Sequence, residues 1–323
     1  MSYRKMIRAR HLDPVALAAA AGAVILLCQP AIAEVHVLAD GDLRVEIEVA
    51  SEDLDQEFGP RFDRTAVVRS ITVDHLELLG PWGLPDEFGL YGNGVLGYEA
   101  ARVGETFVKI GVGQLVRDTE TGYHFAHPYP VDRLFPVTLA MEERSLSVLQ
   151  QSDGEGPWQY RYSKSYELTG ERRLKIHYEL SNTGTREWTF EHYNHHWFRA
   201  DGIPVGTGYQ VTTGFELPAA ETTMRHAPFS LAMPGPLAPD GAHYYASEVT
   251  GVAPGANSFE LKIDGHPLVS YQASFSPRRF AVYAHADGFC PEVFTRAALE
   301  PGATVRWSST YRFHDPRTFA ERD

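Results

Sequence analysis

"GERRLKIHYELSNTGTREWTFEHYNHHWF", residues 170–198, holds two apolar runs separated by a turn. In the first run Leu174, Ile176, Tyr178 and Leu180 alternate with Lys175, His177 and Glu179, the period of a strand with one face in a core. "SNTG" at 181–184 is a turn cluster. The second run is rich in aromatics, with Thr and Asn and few strong helix formers, so it reads as a strand as well. Period two then puts Glu191, Tyr193, His195 and Trp197 on one face, and His192, Asn194, His196 and Phe198 on the other.

The same pattern extends outward. "DLRVEIEVA" (42–50) alternates Leu43, Val45, Ile47 and Val49 with charged residues, and "TVRWSSTYRF" (304–313) places Val305, Trp307, Tyr311 and Phe313 on one side. Turn clusters such as "SDGEG" (152–156) and "EPG" (300–302) punctuate these runs. No long helical period, internal repeat, low-complexity tract or Pro/Gly-rich linker interrupts residues 34–323. The expectation is an all-β chain forming one large antiparallel β-sandwich. Two Gly-rich loops, "LLGPWGLPDEFGLYGNGVLGYE" (78–99) and "ADGIPVGTG" (200–208), are long enough to build a binding site.

Residues 1–33 read differently. Arg4, Lys5, Arg8 and Arg10 precede an apolar run from Val15 to Cys28, and "AIA" at 31–33 fits a cleavage site. That is the layout of a secretory signal peptide, and the run is shorter than the ~20 apolar residues a bilayer span needs. A retained anchor is the alternative; "ILLCQP" lacks the small residue expected before a lipidated Cys. The mature chain is therefore expected from Glu34, periplasmic or secreted, with no membrane span. The chain of 323 residues carries a net charge of −13. Losing four basic residues and Asp13 with the signal makes it more negative still. Such a chain repels phosphate backbones and anionic lipid surfaces, which argues against nucleic-acid partners. Cys290 alone would remain, so no intrachain disulfide is expected, and a chain this long buries enough core without one. Nothing in the sequence sets the oligomeric state.

The histidine-rich strand invites a metal reading. On a helix, His192 and His196 would have the spacing of two zinc ligands, but on a strand they stand ~13 Å apart at ~3.3 Å per residue. No metal and no cofactor is expected. A plainer alternative is a crowded core whose histidines are satisfied by hydrogen bonds.

A second stretch, "YAHADGFCPEVFTRAALEPGATVRWSSTYRF" (283–313), sets Glu292 between Pro291 and Val293 near a strand end. With Asn194-His195-His196-Trp197-Phe198 it resembles the galactose mutarotase (aldose 1-epimerase) superfamily. In that family an N-H-x-Y-F-like strand carries a catalytic histidine, and a C-E-P/Q-like segment carries a catalytic glutamate. Here Cys290-Pro291-Glu292-Val293-Phe294 matches the second, with Pro291 inserted, and "LEPGATVRWSSTYRF" resembles the closing turn and final strand. The resemblance implies a mutarotase-like supersandwich, with His195 as acid and Glu292 as base. It covers the C-terminal half, and "FGPRFDR" (58–64) and "GETFVKIGVG" (104–113) only loosely. The family's further histidine after a Gly-rich loop is missing from "GLYGNGVLGYE"; His124 or His127 of "YHFAHPYP" would have to substitute.

The chemistry follows from the residue types. Anomer interconversion needs a base for the C1 hydroxyl proton and an acid for the ring oxygen, which a histidine and a partly buried carboxylate can supply. Arg61 is a candidate for sugar hydroxyls or a uronate, unless it merely pairs with Asp63 or Glu57. Trp82, Tyr193 and Trp197 are candidate stacking platforms, Asn194 a polar contact, and Lys109 either a contact or a surface cation. Two other functions compete with the isomerase. A polysaccharide lyase would use Tyr193 or His195 as base and Arg61 or Asn194 against a uronate. A non-catalytic protein would only bind a sugar or an oligosaccharide.

Overall fold

The computed structural model describes residues 34–49, 59–238 and 240–315. The segment 1–33, expected as an export signal, lies outside the described residues. Nearly every described element is a strand, and all strand pairs are antiparallel; two short 3-10 turns, Tyr98–Ala100 and Pro254–Ala256, are the helical exceptions.

A ten-stranded sheet forms one layer. Its centre holds Tyr160–Leu168, Arg173–Asn182 and Thr304–Phe313, followed by His266–Ala273 and Ser258–Ile263. The strand Arg173–Asn182 buries every second residue, so Leu174, Ile176, Tyr178 and Leu180 point into the core as their alternation requires. Each such side chain contributes about 1.5–3 kcal/mol relative to exposure. A five-stranded sheet packs against this layer in the order His243–Glu248, Arg279–His285, Gly288–Leu299, Trp188–Asn194, Asp86–Phe88. Two four-stranded sheets complete the described structure, one of the strands within 34–49 and 66–77 and one of those within 95–134.

The strand Trp188–Asn194 is an interior strand of the smaller sheet, between Gly288–Leu299 and the edge strand Asp86–Phe88. Its inner face meets the large sheet: the His192 ring lies 5.2 Å from that of Trp307 and 5.0 Å from that of Tyr178. Its outer face is covered too, so all nine residues from Phe190 to Phe198 are buried. The ladder ends at Asn194, but the chain stays extended beyond it. His195 N–H donates to Pro85 O (2.8 Å), Trp197 N–H donates to Gly83 O (3.1 Å), and Phe198 bridges to Leu79 and Phe289. On its other side Gly83 lies tight against the strand Ala66–Val73: its φ is +71°, and a Cβ there would sit 2.1 Å from Val68 O.

Candidate active site

Strand register brings His195 and Glu292 together. Pairing of His192 with Thr295 runs the two strands so that His195 faces Glu292, and His195 Nε2 lies 3.4 Å from Glu292 Oε1. Both side chains are about 6% exposed and are flanked by aromatic rings. His195 stacks on Trp197 with ring centroids 4.9 Å apart and planes 2° apart; Phe62 and Tyr283 meet it edge-on at 5.7 and 6.4 Å. Trp82 tilts against Trp197 at 6.1 Å. Gly288 makes room for this packing, since a Cβ there would come within 3.0 Å of the Trp197 backbone.

Beside the pair lies a second group. Arg61 Nε donates to Glu87 Oε2 (2.9 Å), Arg61 Nη2 donates to the Tyr193 hydroxyl (3.2 Å), and that hydroxyl donates to the same Glu87 oxygen (2.5 Å). Phe62 and Phe125 hold the guanidinium at 4.6 and 4.5 Å from their ring centroids. Tyr193 itself stacks on Phe294 at 4.3 Å.

Burial drives the acid–base properties. It pushes Glu292 up to about 8, opposed by Arg61 and reinforced by Glu87. It pushes the His195 imidazole well down, and Arg61 and His196 add to that. Burial also lifts the Tyr193 hydroxyl far above its ordinary range, helped by the negative charges of Glu87 and Glu292. Four buried side-chain atoms near this face have no hydrogen-bond partner among the described residues: His195 Nδ1, Glu87 Oε1, Trp197 Nε1 and Glu191 Oε1.

Several sequence expectations need correction. Asn194 is not on the pocket side. Its amide donates to Asp86 Oδ1 and to the Tyr178 hydroxyl (2.8 Å), inside the sandwich, because its position in the two-residue period faces the large sheet. His127 is held elsewhere: its Nε2 lies 2.7 Å from Asp118 Oδ1 and its ring packs on Tyr129 at 4.4 Å. The segment "YHFAHPYP" contributes Phe125 to the site instead. Lys109 does not reach the surface; it is 1% exposed, donating to Phe88 O (2.9 Å) and the Tyr123 hydroxyl (2.8 Å). Glu292, expected near a strand end, sits buried within the strand Gly288–Leu299. Among the described residues Arg61 pairs with Glu87 rather than with Asp63; Glu57 lies outside the described residues.

The inner face is organised by one carboxylate. Asp86 accepts from Lys164 Nζ (2.9 Å), the Tyr178 hydroxyl (3.0 Å) and Asn194, and meets His192 Nε2 at 2.9 Å. Burial alone would raise Asp86, but Lys164 and His192 outweigh it and hold it at about 2. Lys164 also lies 2.9 Å from Asp63 Oδ2. His196 bridges Pro291 O and the Tyr311 hydroxyl. Among the described residues, no group of three His, Cys, Asp or Glu side chains is placed to hold a metal ion. Sequence reasoning missed Glu87, Asp86 and Phe125. The adjacent carboxylates of "LPDEFG" were the available signal, since consecutive strand residues must face opposite sides.

Solved structures share this architecture. A galactose mutarotase related enzyme from Lactobacillus acidophilus matches with a TM-score of 0.53 at 14% identity, over 87% of this chain and 98% of that one. A galactose mutarotase-like protein from Lactobacillus casei matches with a TM-score of 0.53 at 14% identity, over 87% of this chain and all of that one (100%). No protein-family model matches the chain, and no curated protein does. The chain thus has the galactose mutarotase-like sandwich fold. At this identity the likeness speaks for the fold, and chemistry must be argued from the site.

Proposed function

We propose that this chain carries out aldose 1-epimerase-type acid–base chemistry on a sugar, with His195 and Glu292 as the proton-exchanging pair. The observation that carries the reading is the 3.4 Å approach of His195 Nε2 to Glu292 Oε1 among flanking aromatic rings. A sugar ring entering there offers its C–H face to Phe62, Trp82, Trp197 or Tyr283 and its C1 hydroxyl and ring oxygen to the pair.

One member takes the proton from the C1 hydroxyl while the other gives a proton to the ring oxygen, and the C1–O5 bond breaks to leave an aldehyde. Rotation about the C1–C2 bond and closure on the other face reverse both transfers. The pair ends with the protons it began with. Burial excludes water, so each proton passes between enzyme and sugar.

The test is exchange between anomers of free aldoses, followed by magnetisation transfer in nuclear magnetic resonance or by optical rotation. The expected result is acceleration by the wild-type protein, strongly reduced in Glu292→Gln and in His195→Asn. Exchange at the uncatalysed rate, with the sugar demonstrably bound, would defeat the reading.

A further inference from the structure

We infer that Glu87 is a specificity-determining residue: it holds Arg61 in an internal pair, so that the site accepts uncharged sugars and turns away sugars bearing a carboxylate. The inference rests on reading the pocket as a sugar site. A guanidinium at the edge of such a pocket would ordinarily be a clamp for a uronate, since its fork matches a carboxylate. Here the Nε/Nη2 edge of that fork is engaged. Its Nε and Nη2 reach Glu87 and Tyr193, and Tyr193 closes the ring of contacts onto the same Glu87 oxygen.

Three features make the arrangement hard to displace. The Glu87 side chain is 0% exposed against 14% for Arg61, so water cannot replace the guanidinium if a ligand draws it away. The aromatic rings of Phe62 and Phe125 fix the guanidinium from either contact. Glu87 is placed by the ladder itself, opposite Tyr193, while its neighbour Asp86 is fixed on the inner side by Lys164. A ligand carboxylate would therefore leave Glu87 buried and unmatched, and would approach Glu292 as well. The other nearby cation, Lys109, is buried and donates to Phe88 O and Tyr123, so it offers no substitute clamp.

The test compares D-galactose and D-glucose with D-galacturonate and D-glucuronate, measuring dissociation constants by titration and anomer exchange in parallel. Wild type is expected to bind the neutral hexoses at least about ten-fold more tightly than the hexuronates, the worth of one charge-assisted contact. Glu87→Gln keeps the shape, releases Arg61 from its ion pair, and is expected to shift that ratio about ten-fold or more toward the hexuronates. The double variant Glu87→Gln/Arg61→Met should lose the gain. Equal affinity of wild type for both classes, or an unchanged ratio in a folded Glu87→Gln protein, overturns the inference, as does a gain that survives removal of Arg61. Should Glu87→Gln fail to fold by its thermal melt, the wild-type ratio decides. Binding without anomer exchange defeats the acid–base reading alone and leaves the role of Glu87 to be decided by the affinities.

Discussion

His195 Nε2 stands 3.4 Å from Glu292 Oε1 across neighbouring strands, and burial acts on the two groups in opposite senses. The imidazole is driven down and the carboxyl up to about 8, so near neutral pH burial favours a neutral imidazole facing a protonated carboxyl. The resemblance to the mutarotases implies the opposite distribution, imidazolium facing carboxylate. Both forms carry one shared proton and interconvert by moving it across the gap. A pH profile reads that count, not the atom that holds the proton.

The rate of anomer exchange is therefore expected to be level across neutral pH and to fall on both sides. Above about 8 the pair loses its proton; well below 6.5 it gains a second. Measuring kcat/KM from pH 5 to about 9.5 with one aldose checks this. A rate still climbing at the alkaline end would contradict it.

Stability should carry the cost of the same carboxyl. Folding raises Glu292 from 4.5 to about 8, which disfavours its ionised form. The penalty is absent below 4.5, grows as pH rises, and is complete above about 8. Glu292→Gln has no such penalty, so at pH 8 it should be the more stable protein by up to about 4 kcal/mol, and near parity should hold at acidic pH. Denaturant melts at the two pH values decide; a variant less stable than wild type at both would be the contrary result.

Turnover should respond in the other direction. Glu292→Gln and His195→Asn each remove a titrating group at small steric cost and should each lower kcat by ~10²–10⁴-fold. Circular dichroism and thermal melts would establish that the variants are folded. Full activity in either would remove that residue from the chemistry.

His192→Asn separates the two faces of the strand. His192 is buried between the sheets, 2.9 Å from Asp86 Oδ1, and has no contact with the pocket side. Its loss should cost about 1–3 kcal/mol of stability through a broken buried contact, while kcat changes by only a few-fold. A large kcat loss in a stable His192→Asn protein would reverse the assignment of faces.

Lys164→Met tests the buried charge cluster. The ammonium lies 2.9 Å from both Asp63 and Asp86, and removing it leaves two carboxylates without their cation. The expected loss is about 3–5 kcal/mol, read from the denaturation midpoint. A neutral effect would mean the cluster is better solvated than its burial implies.

The sandwich was legible because half-buried strands announce themselves. Leu174 to Leu180 alternate with charged residues, and the observed burial of Arg173–Asn182 follows them residue by residue. The run from Phe190 to Phe198 was harder, since it is covered on both sides and its polarity no longer marks inside from outside. Asn194 illustrates the difficulty: its position in the period faced it away from the pocket, yet its polarity suggested a ligand contact. His127 and Lys109 failed for another reason. Their partners, Asp118 for one and Phe88 O and Tyr123 for the other, are supplied by folding of the segment 88–134, and no local pattern specifies them. Glu87 became significant only when Arg61, 26 residues earlier, closed on it.

The double histidine at 195–196 leaves the strand nearly blind to its own alignment. A shift by one residue would set His196 opposite Glu292 and turn Tyr193 inward, a pocket that still looks plausible from this strand alone. What forbids it is Asp86, which takes Asn194, Tyr178 and Lys164 as donors and meets His192, all on the inner side. That carboxylate works as an indexing pin. It lies on the inner side, away from the His195–Glu292 pair, yet it fixes which imidazole faces Glu292.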